Sequence, residues 1–138
     1  MQKLLILSCL LVMTACTKTT SHTLTPKGFF KNPEEAFNIV QKQITKFSPG
    51  EVLQTIESIS YTYAGNSVYA FIFYRSDKGM DNLAIRKDFK DEELVGGSVT
   101  KCEGESCDCL VRVVIGNDGH VDVGCSCPTC KRIISEGL

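Results

Sequence analysis

Six cysteines lie between residues 102 and 130, and their thiol chemistry is the first feature that suggests what this chain does. They are Cys102, Cys107, Cys109, Cys125, Cys127 and Cys130. Cysteines at such spacing form disulfide bonds, bind a soft metal ion, or exchange disulfides with a partner protein. Disulfides persist only in oxidising compartments, so the location of the chain decides among the three.

The segment between these cysteines predicts a β-hairpin. Asn117-Asp118-Gly119 is typical of a three-residue hairpin loop with glycine in the left-handed position. The opposed pairs are then Val113 with Val123, Val111 with Cys125, and Cys109 with Cys127. A register shift of one pair would join Cys109 to Cys125 or Cys107 to Cys127. Cys102 and Cys130 fall just outside the ladder. The alternation places the cysteines and valines of the hairpin on one face, but it leaves open which cysteine is bonded to which.

A metal site is the alternative interpretation of the same sulfurs. Its ligands would be Cys107, Cys109, Cys125, Cys127 and Cys130, which offer thiolates to zinc or to a soft copper ion. A zinc ribbon has two C-x2-C pairs, whereas only Cys127 and Cys130 have that spacing here. The two histidines are not expected to complete the set of metal ligands, because His120 lies at the hairpin tip and His22 in the tether near the N-terminus.

Thiol–disulfide exchange is the third possibility. Cys127-Pro128-Thr129-Cys130 is a C-x-x-C segment, and the two basic residues that follow it would lower a thiol pKa. Thioredoxin-like proteins place such a motif inside a βαβ unit, and no such unit is predicted around Cys127.

The N-terminus predicts export. It has a positive charge at Lys3, an apolar stretch over residues 4–13, and small residues at its end. This pattern is typical of a secretory signal peptide over residues 1–15. The run Val12-Met13-Thr14-Ala15-Cys16 resembles the lipobox of bacterial prolipoproteins, with Met13 at a position where leucine is more usual.

The lipobox resemblance implies a membrane anchor. In that family the cysteine that corresponds to Cys16 is acylated, palmitate being one of the usual chains, and becomes the N-terminus after cleavage. Thr17 follows in place of aspartate, which by the same resemblance favours the outer membrane, with the domain facing the periplasm. Removal of Cys9 and acylation of Cys16 leave an even number of cysteines in an oxidising compartment. Disulfides are therefore the expected state of the C-terminal cysteines.

After a tether over residues 16–31, the sequence predicts one α+β domain over residues 32–138. Asn32-Pro33 followed by two acids predicts the start of a helix, and Ser48-Pro49-Gly50 predicts its end. We expect this helix to pack on an antiparallel sheet of about five strands. The cysteine-rich hairpin, at about residues 102–130, is stapled by disulfides in this prediction.

Three strands are predicted between the helix and the cysteines. The first alternates polar and apolar residues up to Tyr63, the second runs from Val68 to Tyr74, and the third from Asn82 to Phe89. The second is apolar on both faces, which predicts that it is the central strand of its sheet. Residues 87–93 predict a solvated loop, and Gly96-Gly97 predicts a flexible joint.

No sequence motif indicates an enzyme or a cofactor. The chain lacks G-x-S-x-G, P-loop and H-E-x-x-H motifs. Its net charge of −1, with acids and bases interspersed, predicts no nucleic-acid partner. The sequence predicts a non-catalytic envelope lipoprotein that contacts the membrane through its lipid and presents a small disulfide-stabilised domain, either structurally or to a protein or small-molecule partner. Residues 33–89 also loosely resemble the prodomains and inhibitors of streptopain-type cysteine proteases, which implies protease inhibition as an alternative.

Overall fold

The structure is a computed structural model that describes residues 28–105 and 107–138. The predicted signal peptide, Cys16 and most of the tether lie outside these residues. The elements are α1 (Pro33–Phe47), β1 (Leu53–Ala64), β2 (Ser67–Ser76), β3 (Gly79–Lys90), β4 (Glu93–Glu103), β5 (Val111–Ile115), β6 (Val121–Cys125) and β7 (Lys131–Glu136). Among the described residues, no helix has the length and apolar character needed to cross a membrane.

The strands form two separate antiparallel sheets. The larger has the order β1-β2-β3-β4-β7, and β5 pairs only with β6. The predicted antiparallel sheet of about five strands is therefore confirmed. β2 is an interior strand, but the central strand of the five is β3 rather than β2 as predicted. The hairpin is not one of its members, because β4 and β7 supply the last two strands.

The predicted loop at residues 87–93 is wrong, because β3 and β4 run through it. The turn between them consists only of Asp91 and Glu92, which have φ angles of 50° and 67°. Positive φ at both central residues matches the twist of a two-residue hairpin, and Lys90 pairs with Glu93 across it. Exposed charges on this paired segment made it look like a loop.

Gly96-Gly97 is a bulge within β4 rather than a flexible joint. The register of β3 with β4 shifts between Arg86 and Asp88, opposite these glycines. Gly97 has a φ of 138°, and a Cβ atom there would lie 2.0 Å from the backbone oxygen of Arg86. Only glycine fits this close approach.

Helix α1 covers one face of the larger sheet, as predicted. The side chain of Asn32 accepts a hydrogen bond from Glu35 N at 2.8 Å, which caps the N-terminus, and Pro33 begins the helix. The helix lies nearest to β1 and buries its apolar stripe in one core cluster with residues of β1, β2, β3 and β4. The main core residues are Val40, Ile44, Val68, Ile72, Tyr74, Leu83, Ile85 and Val99.

The β5–β6 hairpin covers the opposite face, which gives the domain three layers. Phe71 of β2, Ala84 of β3 and Cys102 of β4 pack there against Val111 of the hairpin. Residues of one parity along β2 and β3 therefore face the helix, and residues of the other parity face the hairpin. This is the physical reason why β2 is apolar on both faces.

Asn82 fixes the hairpin on the sheet through two hydrogen bonds. Its side chain is 2% exposed. Asn82 Nδ2 donates to Val111 O at 2.9 Å, and Val111 N donates to Asn82 Oδ1 at 2.7 Å. Arg132 Nη1 also donates to Val123 O at 2.7 Å, which ties β7 to β6. The Asn82 side chain thus supplies partners for the N–H and C=O groups of Val111, which would otherwise be buried without hydrogen bonds.

We predict that Asn82→Leu lowers the free energy of unfolding by roughly 2–4 kcal/mol, because it leaves both backbone groups of Val111 unpaired. The measurement is urea unfolding of wild type and variant. The matched control is Asn38→Leu on the exposed face of α1, which should change stability by less than about 0.5 kcal/mol. An Asn82→Leu variant as stable as that control would contradict the assigned role.

Candidate functional site

All six predicted cysteines form disulfides. The pairs are Cys102–Cys125, Cys107–Cys127 and Cys109–Cys130, with Cα–Cα distances of 5.7, 6.8 and 5.6 Å. The predicted hairpin register is confirmed, since Val113 pairs with Val123 and Val111 with Cys125.

The expected opposition of Cys109 and Cys127 is wrong. The regular ladder ends at Val111. Ser126 N still donates to Leu110 O at 2.8 Å, but Leu110 N donates to Asp108 O in its own segment and to the side-chain oxygen of Ser126, not to the backbone of the opposite strand. Cys127 to Cys130 forms a turn in which Cys130 N donates to Cys127 O at 3.1 Å. That turn redirects the chain into β7 and places Cys130, not Cys127, beside Cys109.

The Cys102–Cys125 disulfide lies between the two sheets. Cys102 is 2% exposed on the hairpin side of β4, and Cys125 is at the end of β6. This bond joins the layers covalently at the site where Asn82 joins them by hydrogen bonds. Its role is therefore structural. It also removes Cys125 from the predicted set of metal ligands.

The other four sulfurs form a second group, which we call the sulfur cluster: Cys107, Cys109, Cys127 and Cys130. Cys107 Sγ lies 3.3 Å from Cys130 Sγ and 3.9 Å from Cys109 Sγ, although it is bonded to neither. The sulfurs of Cys107, Cys109 and Cys130 all lie within 4.8 Å of one another, and these residues are partly exposed. The cluster is thus accessible from solvent.

Gly104 leaves the space that the sulfur cluster occupies. A Cβ atom at Gly104 would lie 2.6 Å from Cys109 Sγ and 3.5 Å from Cys130 Cα. The role of Gly104 was not predicted from the sequence. Its only signal was a glycine between the end of β4 and the first cysteine of the cluster.

A cleft of about 710 Å³ adjoins the sulfur cluster. The pairing of β3 with β4 extends no further than Ala84 and Thr100, while β4 continues alongside β7 to Glu103. The cleft lies where β3 and β4 separate, and Cys107 and Cys109 form one wall. Its other walls include Phe73, Met80, Asp81, Lys101, Glu103 and Leu110. It combines apolar surface with charge, as small-molecule sites do.

Lys101 is the buried centre of a charge network at the base of this cleft. Its side chain is 4% exposed, and Lys101 Nζ lies 3.3 Å from Asp81 Oδ2 and 3.8 Å from Glu51 Oε2. Tyr74 OH donates to Asp81 Oδ2 at 3.3 Å. Lysine at this depth needs paired charges, because an unpaired buried charge is strongly destabilising. This network was not predicted from the sequence, although Lys101 lies two residues from the core residue Val99 and therefore on the same face of β4.

Burial changes the acid–base properties of this network. It raises the pKa of Asp81 above the ordinary value of 3.8, against the opposing effects of the hydrogen bond from Asn82 N and the charge of Lys101. Burial also raises the pKa of the Tyr74 hydroxyl, and the negative charge of Asp81 adds to this shift. Tyr74 therefore stays protonated and donates.

No protein-family model matches the chain, and no curated protein and no solved structure is significantly similar to it.

The raised pKa of Asp81 predicts a pH effect on stability. The native state binds the Asp81 proton more tightly than the unfolded chain does. The contribution of this protonation to folding stability is therefore complete below pH 3.8 and is lost as pH rises through the raised pKa. The unfolding free energy of wild type, relative to Asp81→Asn, should therefore increase as pH falls through this window. Denaturant unfolding over a pH series measures it.

Asp88 is the matched control, because its pKa is shifted in the opposite direction to that of Asp81. A hydrogen bond from Ser67 lowers the pKa of Asp88, so its contribution to stability is lost as pH falls. Wild type relative to Asp88→Asn should become less stable at low pH. Slopes of the same sign for the two variants would contradict the description of the Asp81 site.

The difference in exposure predicts the order in which the disulfides are reduced. A reductant must reach a sulfur to attack it. Cys102 is almost fully buried, so its disulfide can be attacked only at Cys125, whereas both sulfurs of each cluster disulfide are partly exposed. Graded reduction followed by alkylation and peptide mass analysis should therefore give an intermediate that retains Cys102–Cys125 after both cluster disulfides have opened. Early alkylation of Cys102 and Cys125 would show that the layers are not joined as described.

Proposed function

We propose that this chain is a lipid-anchored protein of the bacterial cell envelope, and that its small domain has a non-catalytic binding or structural role. The observation that carries the proposal is the set of three disulfides in the C-terminal region. Disulfides of this kind persist in the periplasm and at the cell surface, where thiols do not stay reduced. This is the compartment that the predicted signal peptide implies.

The disulfides also answer a physical need of the domain. A two-stranded hairpin is marginal on its own in water, and β5 and β6 have only five residues each. Each of the three bonds joins residues 20 to 23 positions apart in sequence. Closing a loop of about 15 residues contributes about 3 kcal/mol by chain entropy. An exported domain of this size therefore gains much of its stability from the bonds that its location permits.

The anchor accounts for the N-terminal arrangement in this proposal. About a dozen residues separate Cys16 from the first described residue, Gly28, which allows a reach of at most about 40 Å. Two or more acyl chains on Cys16 would hold the domain at the membrane, since a single chain binds only marginally. By the lipobox resemblance we assign the protein to the outer membrane, facing the periplasm.

The cleft beside the sulfur cluster is the surface we assign to a ligand or partner. Its volume of about 710 Å³ is within the range of small-molecule sites. Phe73 and Met80, on its wall, are 38% and 51% exposed. Apolar side chains left exposed beside fixed charges favour a ligand with both an apolar and a polar part.

Thiol–disulfide exchange through Cys127 and Cys130 gains no support from this geometry. Each of the two sulfurs is bonded to a different cysteine across the cluster. A C-x-x-C oxidoreductase cycles a bond between its own two cysteines. We therefore keep the non-catalytic assignment.

Cys16→Ser tests the anchor. We expect this change to abolish incorporation of labelled palmitate and to move the protein from the membrane fraction to the soluble fraction, because the acceptor sulfur is lost. Cys9→Ser is the matched control and should leave both labelling and fractionation unchanged. Palmitate labelling that survives in Cys16→Ser would refute the lipoprotein assignment.

A further inference from the structure

Three sulfurs of the cluster, those of Cys107, Cys109 and Cys130, lie within 4.8 Å of one another, and Cys127 is joined to Cys107 by a disulfide. In a tetrahedral zinc–thiolate site with Zn–S bonds of about 2.3 Å, neighbouring sulfurs are about 3.8 Å apart. Cys107 Sγ is 3.9 Å from Cys109 Sγ and 3.3 Å from Cys130 Sγ. We infer that Cys107, Cys109, Cys127 and Cys130 form a redox-controlled zinc site, with two disulfides when oxidised and four zinc-binding thiolates when reduced.

The backbone already presents the four residues as ligands. Cys127 and Cys130 have C-x2-C spacing and lie at the ends of one turn, closed by the 3.1 Å hydrogen bond from Cys130 N to Cys127 O. Cys107 and Cys109 approach from the segment between β4 and β5. Gly104 keeps the space beside Cys109 free of a side chain. Reduction of the two disulfides therefore frees four thiols from two neighbouring segments.

The charges around the cluster suit a thiolate centre. Zinc with four thiolates carries a net charge of −2, which nearby cations stabilise. Arg112 and Arg132 line a cavity on the side of the cluster formed by Cys127 and Cys130. The acids Glu103 and Asp108 lie on the other side, along the cleft. The arginines thus flank the C-x2-C pair, which carries half of the thiolate charge.

The exchange balances with a dithiol as reductant. Two dithiol molecules give four electrons and four protons to the two disulfides and become disulfides themselves, which leaves four cysteine thiols. One Zn²⁺ then replaces the four S–H protons. The reverse needs a four-electron oxidation, by two disulfide-containing oxidants, and releases the zinc. Cys102–Cys125 takes no part, so the hairpin stays joined to the sheet in both states.

The test uses the full chain purified in detergent from the cells that make it. The protein is reduced with a dithiol, freed of reductant without oxygen, and titrated with Zn²⁺. Native mass spectrometry should show one zinc per chain with Cys102–Cys125 intact. X-ray absorption should show four sulfur neighbours at about 2.3 Å. The oxidised chain should bind none.

Variants assign the ligands. Cys127→Ser should weaken zinc binding by about 100-fold or more, since loss of a second-shell partner alone costs about 10–100-fold. His120→Ala is the control and should bind as wild type does. The inference is overturned if reduced wild type binds zinc no better than a variant with all four cluster cysteines changed to serine. It is also overturned by nitrogen or oxygen ligands in the wild-type spectrum, a readout that does not depend on any variant folding.

Discussion

Two hydrogen bonds between the side chain of Asn82 and the backbone of Val111 set the position of the C-terminal hairpin, and the candidate site depends on that position. A hairpin of two five-residue strands needs another surface to pack on. Asn82 supplies both a donor and an acceptor at one point of β3. The register of β5 on the sheet is therefore fixed, and the disulfide from Cys102 to Cys125 makes the contact permanent.

The same docking creates the functional surface. With the hairpin on one face and α1 on the other, the chain between β4 and β5 must cross the end of the sheet where β3 and β4 separate. That crossing segment carries Cys107 and Cys109, which meet the turn from Cys127 to Cys130. The cleft beneath it ends in the Lys101 network, whose charges are paired within the domain. The Cys102–Cys125 disulfide, the sulfur cluster and the cleft thus all depend on the packing of the hairpin on the sheet.

Local signals in the sequence predicted much of this fold. The cap at Asn32, the first three strands and the register across the Asn117-Asp118-Gly119 turn each depend on neighbouring residues, and the structure has all of them. β4 and β7 were missed because their exposed charges and the Gly96-Gly97 bulge look like loop features when the partner strand is unknown. Alternating valines and cysteines identified a common face of the hairpin.

The candidate site was harder to predict, because it depends on contacts between distant residues. The alternation in the hairpin does not say which surface its apolar face covers. A single buried Asn82 or Lys101 gives no pattern in sequence, since its role depends on a partner many residues away. The disulfide connectivity depends on the point at which the β5–β6 ladder ends, which is Val111. Residue propensities for strand or turn do not determine that point.

The central claim is that the C-terminal cysteines are paired covalently in the protein as cells make it. The most direct test is the intact mass of the chain purified without reductant, compared with its mass after full reduction. Our account predicts a difference of two hydrogens for each of the three disulfides. A chain isolated in this way with six free C-terminal thiols would contradict it.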